Sequence, residues 1–167
     1  MKTPNKLSKS AVLILTESLR DEYNAFYLYK AAANWTRNVG FMVASKFYEQ
    51  ESANELTHAQ KIVDFLTDWN VTVNLPDIES PQLTFENLGE LISVAYTTEY
   101  NLYESYEERS LKMFESGNIC TFDFLQFYRN EQTQSVAENS DKLNILSGVD
   151  HTDKFKMLLL EETLFEQ

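Results

Sequence analysis

The chain of 167 residues has one cysteine, three prolines, four glycines and two histidines. Cys120 alone forms no internal disulfide, and disulfide scaffolds belong to short, cysteine-dense secreted chains, so the expected location is cytoplasmic. No apolar run reaches the ~18 residues of a membrane-spanning helix. The segment 1–10 is polar, carries lysines and leads into no signal-peptide pattern, so the mature protein is expected to start near Met1. Positive charge is also scarce: 14 Lys and Arg stand against 26 Asp and Glu, for a net charge of -12. Such a surface repels nucleic-acid backbones and anionic membranes, which excludes both as partners, and it concentrates cations instead.

What is present fits one all-α domain, 1–167, since 43% hydrophobic residues fill a single core at this length. The prolines and glycines fall at Pro4, Gly40, Pro76, Pro81, Gly89, Gly117 and Gly148, leaving four long stretches nearly free of helix breakers. The pattern predicts helices at Lys6 to Arg37, Phe41 to Trp69, Phe85 to Ser116 and Phe122 to Leu146, with a short fifth helix at Thr152 to Phe165. The first and second, and the third and fourth, are joined by a few residues, as antiparallel neighbours are. The link from Val71 to Thr84 is different. About 14 extended residues at ~3.3 Å each reach ~46 Å, the length of a helix of roughly 30 residues. It can therefore cross the whole bundle and make the second and third helices parallel, the one-crossover four-helix bundle.

Each helix carries an apolar stripe at spacings of three and four, and polar residues interrupt all four stripes near their midpoints. The first reads Leu15, Leu19, Glu22, Phe26, Tyr29, Ala33. The second reads Phe41, Ala44, Tyr48, Glu51, Glu55, His58, Ile62, Phe65. The third gives Leu88, Leu91, Ala95, Glu99, Leu102, Tyr106, and the fourth Leu125, Tyr128, Gln132, Ser135, Asn139, Leu143, Leu146. In an aligned bundle Glu22, Glu55, Glu99 and Gln132 converge at one level. Buried carboxylates facing one another are costly unless a cation joins them, and His58 is the only basic residue at these positions. Glu55 and His58, three apart, share a helix face, as in the Glu-x-x-His element of di-iron bundles. Carboxylates with one imidazole and no thiolate suit iron or manganese better than structural zinc, with iron the first choice. One metal would take Glu22, Glu55 and His58, and Glu55 would bridge to a second held by Glu99, a position poorer in ligands. Glu51, one turn before Glu55, reads either as an outer ligand or as a partly solvated acid. Tyr29 reads as packing, as a hydrogen-bond donor to a ligand, or as an electron donor. The other tyrosines are expected to be packing residues, and His151 ordinary surface.

Glu22 with Tyr29 and Trp35, the run Glu55-Leu56-Thr57-His58-Ala59, Glu99, and Asn130-Glu131-Gln132 after Phe124-Leu125-Gln126-Phe127-Tyr128 resemble the ferroxidase-centre elements of the bacterial-type non-haem ferritins. Leu75 to Pro81 is similar to their crossover loop, so the likeness spans the first helix to the fourth. The resemblance implies iron storage and detoxification in a shell of twenty-four subunits, each oxidising Fe(II) with O2 or H2O2 at an internal di-iron site. It implies Glu22, Glu55 and His58 on the first iron, Glu55 and Glu99 on the second, and Gln132 and Tyr29 beside them. Glu51, Glu131 and Gln132 are expected as weaker metal contacts. Leu56 stands where haem-binding relatives carry methionine, so no haem is expected. Asn54, Gln134 and Ser135 stand where many bacterial ferritins place acids for a third iron, and Phe122 and Leu125 depart from the acidic pores of animal ferritins. In ferritins the fifth segment would line the fourfold axes. Two rival readings remain: a non-catalytic shell subunit that binds metal passively, and a di-iron enzyme acting on an organic substrate. The lack of a second Glu-x-x-His on the fourth helix argues against the latter.

Overall fold

The computed structural model describes residue 5 and residues 7–166. Five α-helices follow one another: α1 (Lys9–Val39), α2 (Met42–Asp68), α3 (Leu88–Glu115), α4 (Ile119–Leu146) and α5 (Lys154–Phe165), with no strand among the described residues. α1 packs along α2 and α3 along α4, and residues 71–85, which form no helix, carry the chain between the two hairpins. This is the one-crossover bundle. No helix among the described residues is long and apolar enough to cross a membrane.

The helix ends differ from the expected ones where local capping decides. Lys6, the expected first residue of α1, lies outside the described residues. Ser8 caps the helix by accepting from Ala11 N at 3.0 Å, so the helix proper begins at Lys9. α1 ends at Gly40, whose φ of 92° is the left-handed conformation that closes a helix and that glycine adopts without strain. α3 starts at Leu88 rather than Phe85 because Asn87 caps it: Asn87 Oδ1 accepts from Glu90 N at 3.0 Å, while the Glu90 carboxylate reaches back to accept from Glu86 N just before the cap. α4 begins one turn early, at Ile119, directly after the chain reverses through Gly117 at φ 74°. α5 begins at Lys154 because Asp153 caps it.

The first turn of α2 has no side chain of its own to cap it. Glu161 of α5 supplies the cap instead. It is buried, and its Oε1 accepts from Ala44 N at 2.8 Å, placing a carboxylate at the positive end of the α2 dipole. Met157, Leu164 and Phe165 bury the rest of the α5 inner face, while Phe155 and Leu159 on its other face stay exposed. His151 is not ordinary surface. Its ring lies so close against Gly89 that a Cβ there would collide with Nδ1, and its Nε2 sits 3.1 Å from Leu146 O.

The core is built from Leu15, Leu19, Ile62, Leu66, Leu91 and Leu125 among others, but four of its largest fully buried side chains are tyrosines: Tyr29, Tyr48, Tyr106 and Tyr128. Buried phenols need partners. Three of these four find them at the level where the stripes turn polar.

Candidate metal centre

Glu22 on α1, Glu55 and His58 on α2, and Glu99 on α3 all point into the bundle. Glu22 and Glu99 are 0% exposed and Glu55 3%. They are buried because each occupies a core-facing register otherwise filled by leucine, alanine or tyrosine, so the helix that buries the apolar stripe must bury the acid with it. Glu22, Glu55 and His58 form the one group of three ligand-bearing side chains among the described residues whose donor atoms all lie within 4.8 Å of one another. His58 Nδ1 stands 3.2 Å from Glu55 Oε2 and 3.4 Å from Glu22 Oε2. An ion bound at about 2.1 Å to each donor fits between them with only small side-chain shifts.

The electrostatics of this group bear on whether it could hold a cation. Burial pushes the Glu55 carboxyl well above the usual range, and the nearby charge of Glu22 adds to the effect. For His58 burial acts downward, but the bonds and charges of Glu22 and Glu55 outweigh it and lift the imidazole to about 10. The ring therefore favours its protonated form beside these acids. Glu22 Oε2 nevertheless makes no well-formed hydrogen bond: it is fully buried and meets the His58 ring only as an ion pair at 3.4 Å. A buried carboxylate oxygen held only by an ion pair at that distance is poorly compensated, and a metal ion is a partner that would satisfy it.

Glu99 is held differently. Its Oε1 accepts from the Tyr29 hydroxyl, and the Gln132 amide lies against Oε2; assigned with its nitrogen toward the ionised carboxylate, Gln132 donates to Oε2 at 2.7 Å and to Glu99 O at 3.2 Å. Burial raises its carboxyl to about 7, against the lowering effect of the Tyr29 bond. Glu99 thus lies at the expected level but outside the group of three, with both oxygens engaged. Glu131 reaches only the far edge of His58, its Oε2 3.8 Å from Nε2, and its side chain is 38% exposed. Glu51 is half-buried, accepts from Asn54 Nδ2 at 3.1 Å and does not join the group.

Two tyrosines expected to be mere packing make polar contacts here. The Tyr106 hydroxyl donates to Glu22 Oε1, and the Tyr128 hydroxyl donates to His58 O at 2.7 Å. Their rings stack at 4.9 Å with an interplanar angle of 19°. Tyr106 sits in the predicted α3 stripe two turns after Glu99; a phenol at a core position needs an acceptor, but nothing in the sequence says that the acceptor is Glu22.

The Ferritin-like domain family matches this chain over residues 12–149. A probable bacterial non-heme ferritin-like protein of Haemophilus influenzae is 29% identical over 143 residues, covering 84% of this chain and 87% of that protein. A bacterial non-heme ferritin of Campylobacter jejuni is 28% identical over 131 residues, or 78% of each. Among solved structures, an open-pore ferritin from the hyperthermophilic archaeon Archaeoglobus fulgidus superposes with a TM-score of 0.89 at 25% identity, covering 97% of this chain and 99% of that one. With the match running from the first turn of α1 to beyond the end of α4, across all four helices that carry the candidate site, the chain belongs to the Ferritin-like domain family.

Proposed function

We propose that the protein stores and detoxifies iron, oxidising Fe(II) at Glu22, Glu55, His58 and Glu99 and passing Fe(III) to a mineral inside an oligomeric shell of twenty-four subunits. Membership of the family and the likeness to bacterial non-heme ferritins support iron storage. The observation that carries the oxidation site is the buried Oε2 of Glu22, which faces Glu55 and His58 without a well-formed hydrogen bond. Iron is here the substrate. The first Fe(II) binds where the donors already converge, at Glu22, Glu55 and His58, and displaces the proton on the imidazole. The second binds between Glu55 and Glu99 after Gln132 releases Oε2, so its binding is weaker. Each Fe(II) gives up one electron. Two together reduce O2, with two protons, to H2O2, or reduce H2O2, with two protons, to two molecules of water. A site that holds its second ion loosely suits iron that leaves after oxidation better than a fixed cofactor.

The test is kinetic. Fe(II) added in air to the metal-free protein gives rapid growth of Fe(III) absorbance with O2 uptake, and the combined Glu55→Ala and His58→Ala variant loses most of that rate. Equal rates in the two proteins would contradict the proposal and favour a shell subunit that binds iron passively.

A further inference from the structure

Resting on the reading of Glu22 as an iron ligand, we infer that Tyr106 is a positioning residue that holds Glu22 to one-oxygen binding and keeps Oε2 alone aimed at the metal. The two oxygens of Glu22 are unequal. Oε1 accepts from the Tyr106 hydroxyl, while Oε2 has no well-formed hydrogen bond and faces His58 Nδ1 at 3.4 Å. A carboxylate with one oxygen tied to a phenol meets an ion through the other. Freed, it would close on the ion with both and fill a coordination position that oxidant or a second iron needs.

The phenol is placed to do this reliably. Tyr106 is 0% exposed, and its ring is stacked on Tyr128, which is itself pinned by its bond to His58 O. One turn along α3, Arg109 binds Asp21 Oδ2 at 2.6 Å and Ser18 Oγ at 3.2 Å, so the same face of α3 grips α1 beside the Glu22 turn. The Arg109 guanidinium also lies 5.7 Å from the Tyr106 ring centre. The hydroxyl cannot swing away without breaking the stack. Glu99, by contrast, has its oxygens met by Tyr29 and by the Gln132 amide, whereas Tyr106 ties only one oxygen of Glu22 and leaves the other facing the site.

The experiment compares the assembled, metal-free wild-type protein with Tyr106→Phe, which keeps the ring and its stack, using Co(II) as a visible probe of coordination. Wild type is expected to bind Co(II) tightly, and Tyr106→Phe to bind it with roughly 10–100-fold altered affinity and with weaker visible bands, as the coordination number rises. In a Glu22→Gln background the same tyrosine change should have less than about a twofold effect, since paired residues are non-additive when one acts through the other. An unchanged spectrum and affinity in Tyr106→Phe, or a full effect in the Glu22→Gln background, would overturn the inference. A wild-type protein that binds no Co(II), or binds it equally after Glu55→Ala with His58→Ala, would instead sink the functional reading beneath it. The crystal structure of the Co(II)-loaded wild type gives an answer that needs no variant: one Glu22 oxygen on the metal and the other on Tyr106 supports the inference, and both oxygens on the metal refutes it.

Discussion

Replacing Glu99 by glutamine should stabilise the metal-free protein while impairing its iron chemistry. Burial raises this carboxyl from 4.5 to about 7, so the folded chain holds a proton there that the unfolded chain has released. Stability therefore falls as pH rises from about 4.5 through 7. At about 1.4 kcal/mol for each tenfold step, the loss amounts to about 3 kcal/mol by pH 8. Glutamine carries no such charge. Its oxygen can still accept from Tyr29, and the Gln132 amide can turn to offer its own oxygen to the new NH2 group, so the substitution leaves no orphan. In a chain of this size 1 kcal/mol moves the melting point by roughly 2–4 °C, so Glu99→Gln should melt about 6–12 °C above wild type at pH 8. At pH 5 the difference should shrink to under about 1 kcal/mol. The assay is thermal unfolding by circular dichroism of chelator-treated protein at fixed concentration across this pH range. A variant that melts with or below wild type at pH 8, or a gap that does not shrink toward pH 5, would refute the reasoning.

Metal should reverse the penalty. Zn(II), a redox-inert stand-in, at a concentration about 100 times its dissociation constant should add about 2.7 kcal/mol to the wild type, and Glu55→Gln should lose most of that gain in the same melt. Gly89→Ala should destabilise by about 1–3 kcal/mol, because its Cβ would collide with His151 Nδ1. Pairing it with His151→Ala should recover most of the loss in chemical denaturation, and no recovery would show that the glycine serves another purpose.

The centre was more legible than its supports. Glu22, Glu55 and Glu99 stand out because an acid in an apolar stripe is conspicuous, and four stripes interrupted at one level point to a single place. Tyr106 and Tyr128 do not stand out, because a tyrosine in such a stripe looks the same whether its hydroxyl is satisfied by water, backbone or carboxylate; only the relative rotation of α1 and α3 sends Tyr106 to Glu22. The unequal state of Glu22 and Glu99 also lies beyond sequence reading in detail, since it depends on which way the Gln132 amide faces. The crossover was visible as a length, whereas the true start of α3 depended on the Asn87 cap, a signal that lies inside the apolar pattern begun at Phe85. Glu161 capping a helix 117 residues away is a tertiary contact with no local signature.

Iron binding at Glu22, Glu55 and His58 is the claim on which the rest depends. Anomalous diffraction at the iron edge, from crystals soaked anaerobically in Fe(II), locates the metal directly. The expected map has a strong peak bounded by these three side chains and a weaker one between Glu55 and Glu99, with Gln132 turned away. Iron found only on surface carboxylates, with the space between Glu22, Glu55 and His58 free of anomalous signal, would contradict it.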